Sequence, residues 1–195
     1  MSFRSFGIPG AARLVVLVGV GAAVAIDPLP AVTLSRDIRV VALGLDVREI
    51  EDPGAYGGET PAELTAQKVA TLIRAELDHP QATAGLVAYR GGGDVALRAA
   101  AVLGETIDRL ALVAVPRPET AFDREELARV LASIPAETLI VNGQRDEAAA
   151  AEDAEWCEEG IPASRVEMVP GDGPLALPDV WDRVLTHVAP GTKRR

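Results

Sequence analysis

Short apolar runs rich in Val, Leu and Ile recur along the chain, separated by polar stretches. They fall at Leu14–Val18, Ile38–Leu43, Ala84–Ala88, Leu110–Val115, Thr138–Val141 and Arg165–Val169. Runs this apolar on both faces fit parallel strands covered by helices. Between them the period becomes helical. Thr60-Pro61-Ala62-Glu63 is a capping box with proline at the first helical position. Behind it, Val69, Leu72, Ile73 and Leu77 share one face. Val95, Ala99, Val102 and Leu103 mark a second helix. Asp123 with Glu126 opens a third, carrying Leu127, Val130 and Leu131, and Glu147–Glu159 and Pro178–Val188 complete the set. Ala42–Glu59, with Gly54, Gly57 and Gly58, reads as a surface loop. This alternation predicts an α/β fold, with about six mostly parallel strands and helices on both faces. No repeat, low-complexity tract or linker interrupts it, so residues 1–195 are expected to form one domain with its core in 14–190.

One apolar stretch permits a different assignment. Residues 14–26, LVVLVGVGAAVAI, follow Arg4 and Arg13 and have the look of a signal-peptide core. A central strand ending at Gly19-Val20-Gly21 accounts for them better, because removing the stretch would delete the first strand of a regular pattern. The same turn, with Asp46 after the next strand, could suggest dinucleotide binding. Pro28 and Pro30 interrupt the helix that should follow, and Val24 stands where the third glycine belongs.

Composition narrows the function. The 195 residues suffice for a sizeable core. The net charge of −10 disfavours nucleic acid and anionic membranes as partners. Lys193–Arg195 reads as a frayed tail. The single cysteine, Cys157, excludes an internal disulfide. With Trp156 on an acidic, alanine-rich helix, it reads as structural. Two isolated histidines, His79 and His187, are too few for a usual zinc site. No metal and no cofactor is expected, and the expected location is cytoplasmic.

Candidate chemistry concentrates at Leu86–Gly93. Here a buried strand, Leu86-Val87-Ala88-Tyr89, runs through Arg90 into Gly91-Gly92-Gly93 and a helix. That is the layout of a nucleophile elbow. With it come VVLVGVG, GAYGGETPAELTA, RLALVAVPRP, TLIVNGQRD and RVEMVPGDGPLALPDVWDRVLTHVAP, in that order. Together they resemble the α/β-hydrolase superfamily over residues 14–190. The resemblance implies a three-layer sandwich. It places the nucleophile position on Arg90, the acid on Asp146 and the catalytic His on Pro174. The first elbow glycine becomes Ala88, and Gly92 is kept. The His before the oxyanion turn falls on Val18, with Gly19 and Gly21 retained. Oxyanion donors map onto the N–H groups of Val20 and Gly91. With Val115–Thr138 holding only one helix, no large cap is expected. The family's antiparallel N-terminal hairpin is expected to be missing. The second strand is expected at a sheet edge, with the first beside it.

Arginine stays protonated and cannot attack a carbonyl, and a triad needs its nucleophile and base. Two readings of Arg90 stand open. It is either an anion receptor beside the free N–H groups of Gly91 and Gly92, or a plug that pairs with Asp146. Asp146 is read as an ion-pair partner, as the N-cap of a helix from Glu147, or as a general base. The expected function is a catalytically degenerate α/β-hydrolase-fold protein. It would bind a small anionic or apolar ligand, through Val20, Gly21, Arg90 and Gly91, or a protein partner or second copy. The alternatives are a non-hydrolytic cyclase, isomerase or lyase, and a hydrolase with relocated residues.

Overall fold

The computed structural model describes residues 1–21, 30–46 and 60–193. Among these, seven strands form one sheet: β1 Ser2–Gly7, β2 Arg13–Val20, β3 Ile38–Leu45, β4 Ala84–Tyr89, β5 Ile107–Val113, β6 Glu137–Gly143 and β7 Ser164–Val169. Their order is β1-β3-β2-β4-β5-β6-β7. The helices are α1 Pro30–Leu34, α2 Pro61–Glu76, α3 Gly93–Leu103, α4 Ala121–Ala132, α5 Ala151–Gly160 and α6 Leu177–Val188.

Strand alternation divides the core into two layers. Leu14, Val16 and Val18 of β2 face the helices α2 to α5, while Val15 and Leu17 face α1 and α6. Trp181 of α6 is fully buried in the second layer, where its indole N–H donates to Thr33 Oγ1 at 3.0 Å. The result is a three-layer α/β sandwich with a mostly parallel sheet.

The apolar run at Leu14–Val18 is a central strand, paired in parallel with β3 and β4. The expected edge differs. β1 pairs antiparallel with β3, Ser2 opposite Gly44 and Gly7 opposite Arg39, so β3 is interior. The polar, largely exposed SFRSFG offers no buried apolar run, and its pairing depends on the open β3 edge. An antiparallel edge on a parallel sheet is common.

Local signals account for several boundaries. The Thr60 capping box forms: Glu63 N donates to Thr60 Oγ1 at 3.2 Å, and Thr60 N to Glu63 Oε2 at 2.7 Å. Val69 and Ile73 of α2 are buried, with Leu72 and Leu77 packed partly against the core. On α3, Val102 is 50% exposed, on the outer side from Val95, Ala99 and Leu103. The third helix opens earlier than Asp123 suggests. Thr120 is its N-cap and Asp123 supplies the N–H that Thr120 accepts, at 3.1 Å. The run at Ile38 continues as strand to Leu45; residues 47–59 of the expected loop lie outside the described residues. No helix among the described residues is long and apolar enough to cross a membrane.

Candidate functional site

The elbow stands at the C-terminal end of β4. Arg90 follows the strand with φ +50°, a left-handed conformation that costs a non-glycine residue about 1–2 kcal/mol. A single 3-10 turn, Arg90–Gly92, then leads into α3. A Cβ on Gly92 would lie 2.6 Å from the Val18 carbonyl oxygen and 2.7 Å from Gly19 Cα. Backbone meets backbone there, so glycine is required. Ala88, at the first elbow glycine, is buried in β4 and paired in register with Val18 and Leu112.

From this turn the Arg90 side chain reaches across the sheet edge. Its Nη2 donates to Asp146 Oδ2 at 3.1 Å and to the Leu175 carbonyl at 3.0 Å. Its Nε donates to the Tyr89 hydroxyl at 3.1 Å. Burial opposes the charge, but Tyr89 and Asp146 outweigh it and hold the guanidinium above its ordinary pKa. The Asp146 side chain is fully buried. It also accepts from Leu175 N at 2.8 Å and Ala148 N at 3.1 Å. The expected Arg90–Asp146 ion pair is therefore present, with the backbone of Leu175 bonded to both members.

Asp146 does not cap a helix from Glu147. The helix α5 starts at Ala151, and Asp153 accepts the Ala150 N–H at 2.9 Å. Residues 147–150 instead turn back, with Asp146 Oδ1 bracing Ala148. Pro174 is exposed beside Leu175. Val20 is half-buried at the end of β2, its Cγ2 3.0 Å from where a Gly91 Cβ would sit. Gly21 follows, exposed, at φ +70°.

A cleft of ≈ 770 Å³ opens next to the elbow. Arg90 and Gly91 line it together with the start of α2, the Pro116–Thr120 segment and the first turns of α3 and α4. Val20 and Gly21 are not among its lining residues. Arg90 Nη1 makes no hydrogen bond among the described residues. Arg90 thus pairs with Asp146 and also lines the cleft.

Polar residues missed in the sequence form one wall. Arg98 of α3, nearly buried, is bonded to Asp94 at 2.8 Å, Glu126 at 2.6 Å and Glu63 at 3.3 Å. It joins α2, α3 and α4. Burial, with further contributions from Glu126 and Asp123, outweighs Arg98 and raises the Asp94 pKa. Only the Asp94–Arg98 spacing of one helical turn was available locally. The other partners are distant in sequence.

Among the described residues, no serine, cysteine or histidine lines this cleft. The chain has five serines: Ser2, Ser5, Ser35, Ser133 and Ser164. None lines it. Its hydroxyl side chains, Thr60 and Thr120, are both helix caps. His79 is exposed and accepts from Gln81 N. Cys157 is buried, its thiol pushed up to about 12 by burial and then by Asp153. Among the described residues, no group of three or more His, Cys, Asp or Glu side chains is arranged to hold a metal ion.

His187 lies at the other end of the sheet, half-buried, with Nε2 3.0 Å from the carbonyls of Leu110 and Glu137. Burial, aided by Arg165 and Arg109, lowers its pKa below 6.5. The unfolded chain therefore binds more protons just below pH 6.5, so folding stability is lost as pH falls through that value. Urea unfolding near pH 7.5 and 5.5 is expected to show a larger loss for the native sequence than for His187→Gln. Equal losses would remove His187 as the cause.

No family model and no curated protein matches the sequence. Solved structures do. An α/β hydrolase from a lagoon-sediment metagenome of Mar Chica, Morocco, aligns over 94% of this chain and 91% of its own, at TM-score 0.70 and 15% identity. A Paleococcus ferrophilus monoacylglycerol lipase aligns over 94% and 96%, at TM-score 0.69 and 14% identity. A meta-cleavage product hydrolase from Pseudomonas fluorescens aligns over 94% and 91%, at TM-score 0.67 and 14% identity. The sheet order, the strand–turn–helix at Arg90 and these alignments agree: the chain has the α/β-hydrolase fold.

Proposed function

We propose that this protein uses the α/β-hydrolase fold to bind a small ligand with an anionic group, without triad hydrolysis. The observation that carries this reading is the Arg90–Asp146 pair, 3.1 Å apart where nucleophile and base would meet the acid. It occupies the acid and puts a permanent cation at the elbow. The adjoining cleft is within the size range of small-molecule sites. Arg90 Nη1 and the Gly91 N–H, at the first turn before α3, would receive the ligand's carboxylate or phosphate.

Asp94 supports a second reading. A carboxyl in a cleft with its pKa raised by burial is a candidate acid for non-hydrolytic proton transfer.

Incubation with p-nitrophenyl acetate and butyrate, and with a fluorophosphonate probe, is expected to give only background. Stoichiometric labelling of one serine would sink the non-hydrolytic reading. Mass spectrometry of small molecules retained by the purified protein tests binding directly. Acidic compounds retained by the native chain and lost from Arg90→Ala are the expected result.

A further inference from the structure

We propose that the N-terminal edge of the sheet, opposite the elbow, is a separate binding site that takes the phosphoryl group of a small molecule through Arg165 and Arg183. This site does not depend on the reading of the elbow.

Arg165 comes from the start of β7 and Arg183 from α6. They meet over one carboxylate: Arg165 Nη2 is 3.4 Å from Glu167 Oε1, and Arg183 Nη1 is 3.3 Å from Oε2. Both contacts are loose, and neither arginine has another partner among the described residues. Both side chains are about half exposed, 56% and 49%, so turning toward a ligand costs little desolvation.

The two arginines line a hollow of ≈ 380 Å³ with Arg109, Glu167, Thr186 and His187. A second hollow of ≈ 450 Å³ shares Arg109, Arg165 and His187 with it and extends past Ser164. Both are small-molecule in scale. Arg109 is paired with Glu137. Glu167 therefore answers two guanidiniums alone, leaving positive charge in excess on a chain of net charge −10. Guanidinium forks match phosphate oxygens in pairs.

His187 reports on this hollow. Its Nε2–H is directed at two backbone carbonyls, so Nδ1 is the atom that gains a proton. The groups facing it are Arg109 of β5, Glu137 of β6, Arg165 and Glu167 of β7, and Arg183 of α6. A bound phosphoryl anion would offset the arginines and raise the His187 pKa. By linkage, binding would tighten as pH falls.

The test is proton NMR of the full chain, whose two histidines make a simple spectrum. Inorganic pyrophosphate and, separately, glycerol 3-phosphate are titrated near pH 6.5, at ionic strength held constant with sodium chloride. The expected result is a saturable His187 shift and a raised His187 pKa, with His79 unmoved. Affinity should fall at least about tenfold in Arg165→Ala/Arg183→Ala and stay unchanged in Arg129→Ala, an exposed charge control. A response to glycerol 3-phosphate assigns a phosphate monoester; a response to pyrophosphate alone assigns a diphosphate. The proposal is overturned by no saturable shift with either probe. An equal response to sodium chloride, or equal affinity in the folded double variant, overturns it too. An unchanged His79 line and circular dichroism spectrum establish that the variants are folded.

Discussion

Arg98→Ala is expected to lower folding stability by about 3 kcal/mol, the lower end of the penalty for breaking a buried charge pair. Arg98 is nearly buried, while Glu63, Asp94 and Glu126 retain partial solvent access that screens their repulsion. Alanine would leave these carboxylates facing one another across α2, α3 and α4. It would also remove the packing of a long aliphatic stem. Arg98→Lys should recover part of the loss, since an ammonium cannot reproduce the guanidinium fork. Because these helices frame the cleft, the ligand binding proposed there should weaken along with stability. Urea unfolding with coincident probes is the measurement. A loss below about 1 kcal/mol would place Arg98 among ordinary surface ion pairs.

Arg90→Ala is expected to cost about 2–3 kcal/mol, less than the full penalty for a broken buried pair. Asp146 would remain buried without its cation, yet it would keep the N–H groups of Leu175 and Ala148. The guanidinium is itself partly exposed, which discounts its share. Backbone strain provides an internal check. Arg90→Gly should be more stable than Arg90→Ala by about 1 kcal/mol, because glycine adopts φ +50° freely. A double-mutant cycle with Asp146→Asn isolates the pair, with an expected coupling above about 1 kcal/mol. Coupling near zero would mean that the two side chains are merely neighbours.

The amino-acid order by itself determined the layers. Val15 to Val18, Leu86 to Ala88 and Leu139 to Val141 are apolar at successive positions, so each strand needs cover on both faces. The Thr60 capping box set the start of α2 through contacts three residues apart. β1 was not legible because its pairing energy lies in backbone bonds to β3, with few buried side chains to mark it. At the elbow, the strand–arginine–glycine order was visible, while the positive φ of Arg90 and the close approach of Gly92 to β2 were not.

The resemblance already set Arg90 opposite Asp146, 56 residues away, but only tertiary structure made Leu175 the bridge between them. The same holds for Arg98 with Glu63 and Glu126, and for Arg165 beside Arg183. Periodicity follows from burial of each element's own residues and can be read along the chain. Charge pairing depends on distances between elements, which exist only after the sheet has ordered them.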